Sequence, residues 1–209
     1  MKENIVHIPV NKVSIEGNLE IPQEAKGLVI FSHGSGSSRF SPRNKAVAKV
    51  LQKAGLETLL LDLLTREEDQ VYENRFDINL LTDRLVHTIN WLEKESPGEM
   101  LSLGLFGAST GAASALSAAA FLGPKVKAVV SRGGRPDLVM DILGKVVSPT
   151  LLIVGGEDEV VIELNRQAYE KLQTTKTLEI IPGATHLFEE PGALEEVARL
   201  ASDWFKKYL

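Results

Sequence analysis

Eight short apolar runs punctuate the chain: Asn4–Val10, Val13–Ile21, Gly27–Ser32, Leu56–Asp62, Met100–Phe106, Val126–Ser131, Thr150–Val154 and Thr177–Ile181. Each is brief and rich in Val, Ile, Leu or Phe, as buried strands are. After the first pair, segments of helical pattern separate one strand from the next, which is the α/β alternation and implies a largely parallel sheet. Ser41-Pro42 predicts a helix start, with the serine as N-cap and the proline in the first helical position. Ala46, Val47, Val50, Leu51 and Ala54 then mark one face of that helix. The last helix carries a clean apolar stripe of Leu194, Val197, Ala198, Ala201, Trp204, Phe205 and Tyr208, with Trp204 and Phe205 as core anchors. At 209 residues, one domain over residues 1–209 with a substantial core is the natural expectation.

One junction in this pattern carries chemistry. Met100–Phe106 (MLSLGLF) gives way to Ser109–Phe121 (STGAASALSAAAF), helical by composition, and the turn between them reads Gly107-Ala108-Ser109-Thr110-Gly111. A Gly-x-Ser-x-Gly on a strand-to-helix turn is a nucleophile elbow, whose glycines permit a tight turn that lifts the serine Oγ into the open. Its partners should follow in the order serine, acid, histidine. Of the four histidines, His7 lies in the first strand, His87 sits mid-helix and His33 ends a strand upstream of the serine. Only His186 is downstream, on a loop after the last strand, where the base belongs. Between them, Glu157-Asp158-Glu159 follows the strand Thr150–Val154. Asp158 is the chosen acid, placed in the turn before the apolar anchor Val161, with Glu157 or Glu159 as fallback. It would hold the imidazole Nδ1–H and fix the tautomer. Two backbone N–H groups complete the set, those of Ser35 in the glycine-rich loop Gly34-Ser-Gly-Ser-Ser38 and of Thr110, as an oxyanion hole. His33 is expected to order that loop rather than take part in chemistry.

These residues resemble the α/β-hydrolases, and among them the small, capless, dienelactone-hydrolase-like branch. The likeness rests on His33-Gly34-Ser35-Gly36, Gly107-Ala108-Ser109-Thr110-Gly111, Gly156-Glu157-Asp158 and Gly183-Ala184-Thr185-His186, spread over most of the chain in the family's order. It implies an α/β-hydrolase fold and a serine esterase or related acyl hydrolase with the triad Ser109, Asp158 and His186. Dienelactone hydrolases proper use a cysteine nucleophile. This chain has no cysteine, which points away from dienelactone itself as the substrate.

The remaining sequence narrows the picture. Leu63–Phe76 is charged and expected to be a solvated loop beside the site, and Arg132–Pro149 has room for only a short helix, so the site should be open and suit small esters. Glu189-Glu190 and Glu195-Glu196 read as first turns of the last helix, where negative charge is favoured. Arg132 and Arg135 share a glycine-rich loop after a strand that should end on the Ser109 face. They are candidates for binding a substrate carboxylate or phosphate, against simple pairing with Asp137 or Asp62. The 23 basic residues are scattered and outnumbered by 28 acidic ones for a net charge of −5, so nucleic acid is not expected as a partner. No apolar run approaches a membrane span, no signal-peptide pattern opens the chain, and the absence of cysteine fits a cytoplasmic location. No metal or other cofactor is expected, and the sequence sets no oligomeric state. Two rivals stand beside the hydrolase. Gly34-x-Gly36 with Asp62 imitates a dinucleotide-binding unit but has Arg39 at the third glycine position. A non-catalytic or weakly active hydrolase-like binding protein is the alternative, since a fold never guarantees an activity.

Overall fold

The computed structural model describes residues 2–95 and 101–209. Its strands are β1 (Lys2–Val10), β2 (Val13–Ile21), β3 (Gly27–Ser32), β4 (Leu56–Leu61), β5 (Ser102–Ala108), β6 (Val126–Arg132), β7 (Thr150–Gly155) and β8 (Lys176–Ile181). They form one sheet in the order β1-β2-β4-β3-β5-β6-β7-β8. β1 and β2 pair antiparallel, as do β2 and β4, and every later pairing is parallel. The expected strand at Met100–Phe106 starts at Ser102 and runs on through Gly107 and Ala108; Met100 lies outside the described residues.

The central strands are apolar on both sides because both sides are covered, as parallel strands with crossover helices must be. All six residues of β3 and all six of β7 are buried. On one face, Ile30, Leu59, Leu105 and Leu152 pack with α3 (Ile78–Glu95) and α4 (Thr110–Leu122). On the other, Phe31, Leu60, Phe106, Val130 and Ile153 pack with α1 (Pro42–Lys53) and α6 (Ala193–Tyr208). Alternate residues of one strand thus feed two cores. Gly104 on β5 is required by this arrangement, for a Cβ there would lie 2.6 Å from a Phe205 ring carbon.

The helix faces are slightly rotated from expectation. α1 buries Val47, Ala48 and Leu51, while Val50 is exposed. α6 buries Ala193, Val197, Ala198, Ala201, Ser202 and Phe205, with Leu194, Trp204 and Tyr208 packed at the margin. Glu195 and Glu196 stand in its first turn, but Glu189 and Glu190 precede the helix.

Leu63–Phe76 is not a plain loop. It holds the short helix α2 (Arg66–Asp69) and a 3₁₀ turn at Tyr72–Phe76. A capping box fixes the start: Glu68 N–H donates to Thr65 Oγ1 at 3.2 Å and Thr65 N–H to Glu68 Oε2 at 2.9 Å. The signal was in the sequence as Thr65-x-x-Glu68, but charge outweighed it. After β6, two 3₁₀ turns at Pro136–Val139 and Leu143–Lys145 bury Val139 and Leu143 in the core, and no cap is built there. α5 (Glu159–Lys171) follows β7.

Candidate active site

Parallel strands of such a sheet deliver their C-terminal ends, and the loops after them, to one edge. Ser109 leaves β5 there as N-cap of α4 with φ 52° and ψ −121°. Positive φ is strained for a residue with a Cβ and persists only where the surroundings impose it. Here three backbone hydrogen bonds impose it. Ser109 N–H donates to Arg132 O at 3.1 Å, and Ser109 O accepts from Arg135 N–H at 3.1 Å and from Ala112 N–H at 3.0 Å. The two motif glycines allow the fit. A Cβ at Gly107 would lie 2.4 Å from Ala112 Cα, and one at Gly111 would lie 2.2 Å from Ser32 O.

The acid and the base arrive on two loops sewn to each other. Gly156 N–H donates to Ile181 O at 2.8 Å and Glu157 N–H to Ala184 O at 2.9 Å, joining the β7 end to the loop before His186. Asp158 is the N-cap residue of α5, yet its side chain makes no cap. Its Oδ2 instead accepts from His186 Nδ1 at 2.6 Å. That bond puts the Nδ1 proton toward the carboxylate and leaves Nε2 as the ring nitrogen available to a serine. Glu157 and Glu159 are exposed, so the fallback acids are not needed. Ser109 and His186 line one cavity of ≈ 240 Å³ with Ser35, Arg43, Asn44 and Arg132.

The other candidates sort clearly. Thr110 opens α4, where backbone N–H groups of the first turn have no partner within the helix. The Ser35 N–H is not free as expected: it donates to Thr110 Oγ1 at 2.8 Å. The threonine side chain thereby ties the glycine-rich loop to the elbow. His33 orders that loop as expected. Its Nδ1 donates to Gly34 O at 2.9 Å and its Nε2 accepts from Leu63 N–H at 3.1 Å, the pattern of a neutral imidazole, and burial pushes its pKa below the ordinary value. His7 and His87 stay away, beside Glu16 and Asp83.

Arg132 and Arg135 part company. Arg135 forms a two-bond pair with Asp137, Nε to Oδ1 and Nη2 to Oδ2, both 2.8 Å. Asp62, the other proposed partner, is taken by Arg39. Arg132 is 8% exposed and lines the Ser109 cavity. Arg43 was missed by the sequence reading. The signal was the Ser41-Pro42 cap, which starts α1 immediately after the glycine-rich loop and so brings the first turn to the site. Among the described residues no cluster of His, Cys, Asp or Glu could hold a metal ion, and no helix is long and apolar enough to cross a membrane.

A serine elbow after the fifth strand of a sheet ordered β1-β2-β4-β3-β5-β6-β7-β8 defines the class, the α/β-hydrolase fold. Within that class the sequence profile of the dienelactone hydrolase family matches residues 15–209, and the chain belongs to that family. A crystal structure of a dienelactone hydrolase from Anabaena variabilis is 57% identical, with a TM-score of 0.96 over 100% of this chain and 98% of that one. Est1E from Butyrivibrio proteoclasticus shares the fold at 18% identity, with a TM-score of 0.83 over 97% of this chain and 98% of its own. Two Mycobacterium tuberculosis proteins, of strains CDC 1551 and H37Rv, are 53% identical over 100% of this chain and carry the name "Putative phosphoribosyl transferase". The chain spans 47% of the length of each.

Proposed function

We propose that the chain is a serine hydrolase that cleaves carboxylic esters or related acyl bonds of small substrates through Ser109, His186 and Asp158. One observation carries the reading: the strained Ser109 lines the same cavity as His186, and His186 is held by Asp158 at 2.6 Å. His186 takes the Ser109 proton as Oγ attacks the acyl carbon, giving a tetrahedral oxyanion and then an acyl-enzyme as the alcohol leaves with that proton. Water, deprotonated by His186, attacks the acyl carbon and releases the acid and the free serine. The Thr110 N–H faces the developing oxyanion. The Ser35 N–H joins it once the oxyanion displaces Thr110 Oγ1, a rotation about one side-chain bond. Each such donor is worth about 3–4 kcal/mol of barrier. No cofactor enters the cycle.

The family match and the esterase-like fold support hydrolysis, and the serine at the elbow, in a chain without cysteine, supports an ester substrate other than dienelactone. The phosphoribosyl transferase name belongs to chains of which this one spans about half, and the Ser109 site lies in the shared half. A fluorophosphonate probe tests the proposal without guessing a substrate. Stoichiometric labelling of the wild-type chain, lost in Ser109→Ala and His186→Ala, is the expected result. A folded wild-type chain that takes no label would overturn it and leave the binding-protein alternative.

A further inference from the structure

Ser109 keeps its φ of 52° because other segments grip its backbone. Its N–H donates to Arg132 O at 3.1 Å, and its C=O accepts from Ala112 N–H at 3.0 Å and from Arg135 N–H at 3.1 Å. The first bond continues the pairing of β5 with β6, whose register ends at Ala108 and Arg132. The second is the opening turn of α4. The third lies beyond the sheet and outside any helix, so no regular element holds it. It depends on the peptide that joins Gly134 to Arg135. That unit is planar, so its N–H and its C=O point opposite ways and turn together. The N–H meets Ser109, and the C=O meets Asn165.

Asn165 is fully buried on α5, where its Nδ2 donates to Gly134 O at 3.0 Å and to Val161 O at 2.8 Å. Two carbonyl acceptors fix which end of the amide faces them. Its Oδ1 is buried without a hydrogen-bond partner. Asparagine is also a weak former of helix interiors. One satisfied loop carbonyl against one unmet oxygen is close to neutral for stability, so what the amide contributes is the place of the loop. Its address on α5 suits that task. Asp158 is the N-cap of the same helix, about two turns away. One rigid element therefore carries the acid at its tip and the support of the serine along its length.

We propose that Asn165 is a positioning residue for the Ser109 reaction: through the Gly134–Arg135 peptide it holds the strained elbow in the geometry that presents Oγ. The inference rests on the Ser109 hydrolase reading for the reaction, but the support of the elbow can be measured without turnover. Backbone strain persists only where the surroundings over-determine it, and Asn165 secures the one of the three bonds that no strand or helix secures.

Two measurements separate the parts. The first is the second-order rate of fluorophosphonate labelling, with kcat and KM for 4-nitrophenyl acetate beside it. Asn165→Leu should label and turn over about 10- to 100-fold more slowly, through kcat, with KM within about twofold and Tm lower by only about 2–4 °C. Asn165→Ser can bond Val161 O but is too short for Gly134 O. It should show the same loss, and it keeps the test sound if leucine does not fit. Leu172→Ala, fully buried at the far end of α5, should lower Tm further and label like the wild type. The second measurement is hydrogen exchange of the Arg135 amide. It should quicken by about three- to tenfold in both Asn165 variants, the scale of one lost hydrogen bond, and not in Leu172→Ala. Slower labelling or faster exchange that Leu172→Ala does not match supports the positioning role. Faster exchange in a chain whose wild type takes no label would keep Asn165 as the support of the elbow and overturn the hydrolase reading instead. Wild-type labelling and exchange in both variants, or losses that Leu172→Ala matches, overturn the positioning role and leave the hydrolase reading intact.

Discussion

Arg132 is buried and Arg39 largely so, both at the same edge of the sheet, and their surroundings are opposite. Arg39 lies between the middle of β2 and the end of β4 with every direction answered. It pairs with Asp62, holds Glu16 at 2.5 Å through Nη2, and donates from Nε to Asn18 Oδ1 at 3.0 Å. Its backbone N–H also donates to Asp62 Oδ1 at 2.7 Å. Arg132 shares its cavity with a second arginine and no acid of its own. A guanidinium that carries its counterions serves the fold, pinning the glycine-rich loop to the sheet. One that lacks them lowers stability.

The sharpest way to break this comparison is to replace each arginine by methionine, which keeps the length and removes the charge. Arg39→Met strands Asp62 and should lower stability by about 3 kcal/mol, as removal of one member of a buried pair does. Chemical denaturation would show it as a lower midpoint at unchanged slope. Arg132→Met should do the reverse and raise stability by about 1 kcal/mol, because it deletes a buried unpaired charge and strands nothing. A loss as large as that of Arg39→Met would mean that Arg132 is a structural residue after all. Glycine substitution probes the serine between them: Gly111→Ala drives a methyl into Ser32 O and should cost at least about 2 kcal/mol by overpacking, read as a drop in Tm together with lost fluorophosphonate labelling.

The smallest expected effect concerns His33, which joins the two regions. Its Nδ1 bonds Gly34 next to the Ser109 cavity, and its Nε2 bonds Leu63 beside Asp62. Burial lowers its pKa below 6.5 in the folded chain, while the unfolded chain takes up that proton more readily. The neutral form's stabilisation is therefore complete above about pH 6.5 and is lost as the pH falls from there toward the folded value. A Tm series across that window should slope downward in the wild type and flatten in His33→Gln.

How much was legible in the sequence follows from how local each signal was. Eight strands, the serine elbow and the order of the three triad candidates were readable, because strand runs, Gly-x-Ser-x-Gly and a lone downstream histidine are patterns within a few residues. The capping box at Thr65 was also local, and was missed only because acidic composition was read as solvation. Arg132 and Arg135 could not be told apart by sequence, since both stand on one glycine-rich loop three residues apart. Arg43 carried no signal of its own until α1 was placed.

The chain by itself thus determined which segments bury, where the strand-to-helix turn must tighten, and which serine, acid and histidine could share a task. Burial periodicity and turn chemistry act between neighbours and leave their mark in the local order of residues. Only the tertiary structure decided that Asp158 reaches His186 rather than capping α5, that Thr110 occupies the Ser35 N–H, and that Arg135 finds Asp137 while Arg132 finds nothing. Partner choice among charged groups depends on distances between loops far apart in the chain, set when the parallel sheet brings their ends to one edge.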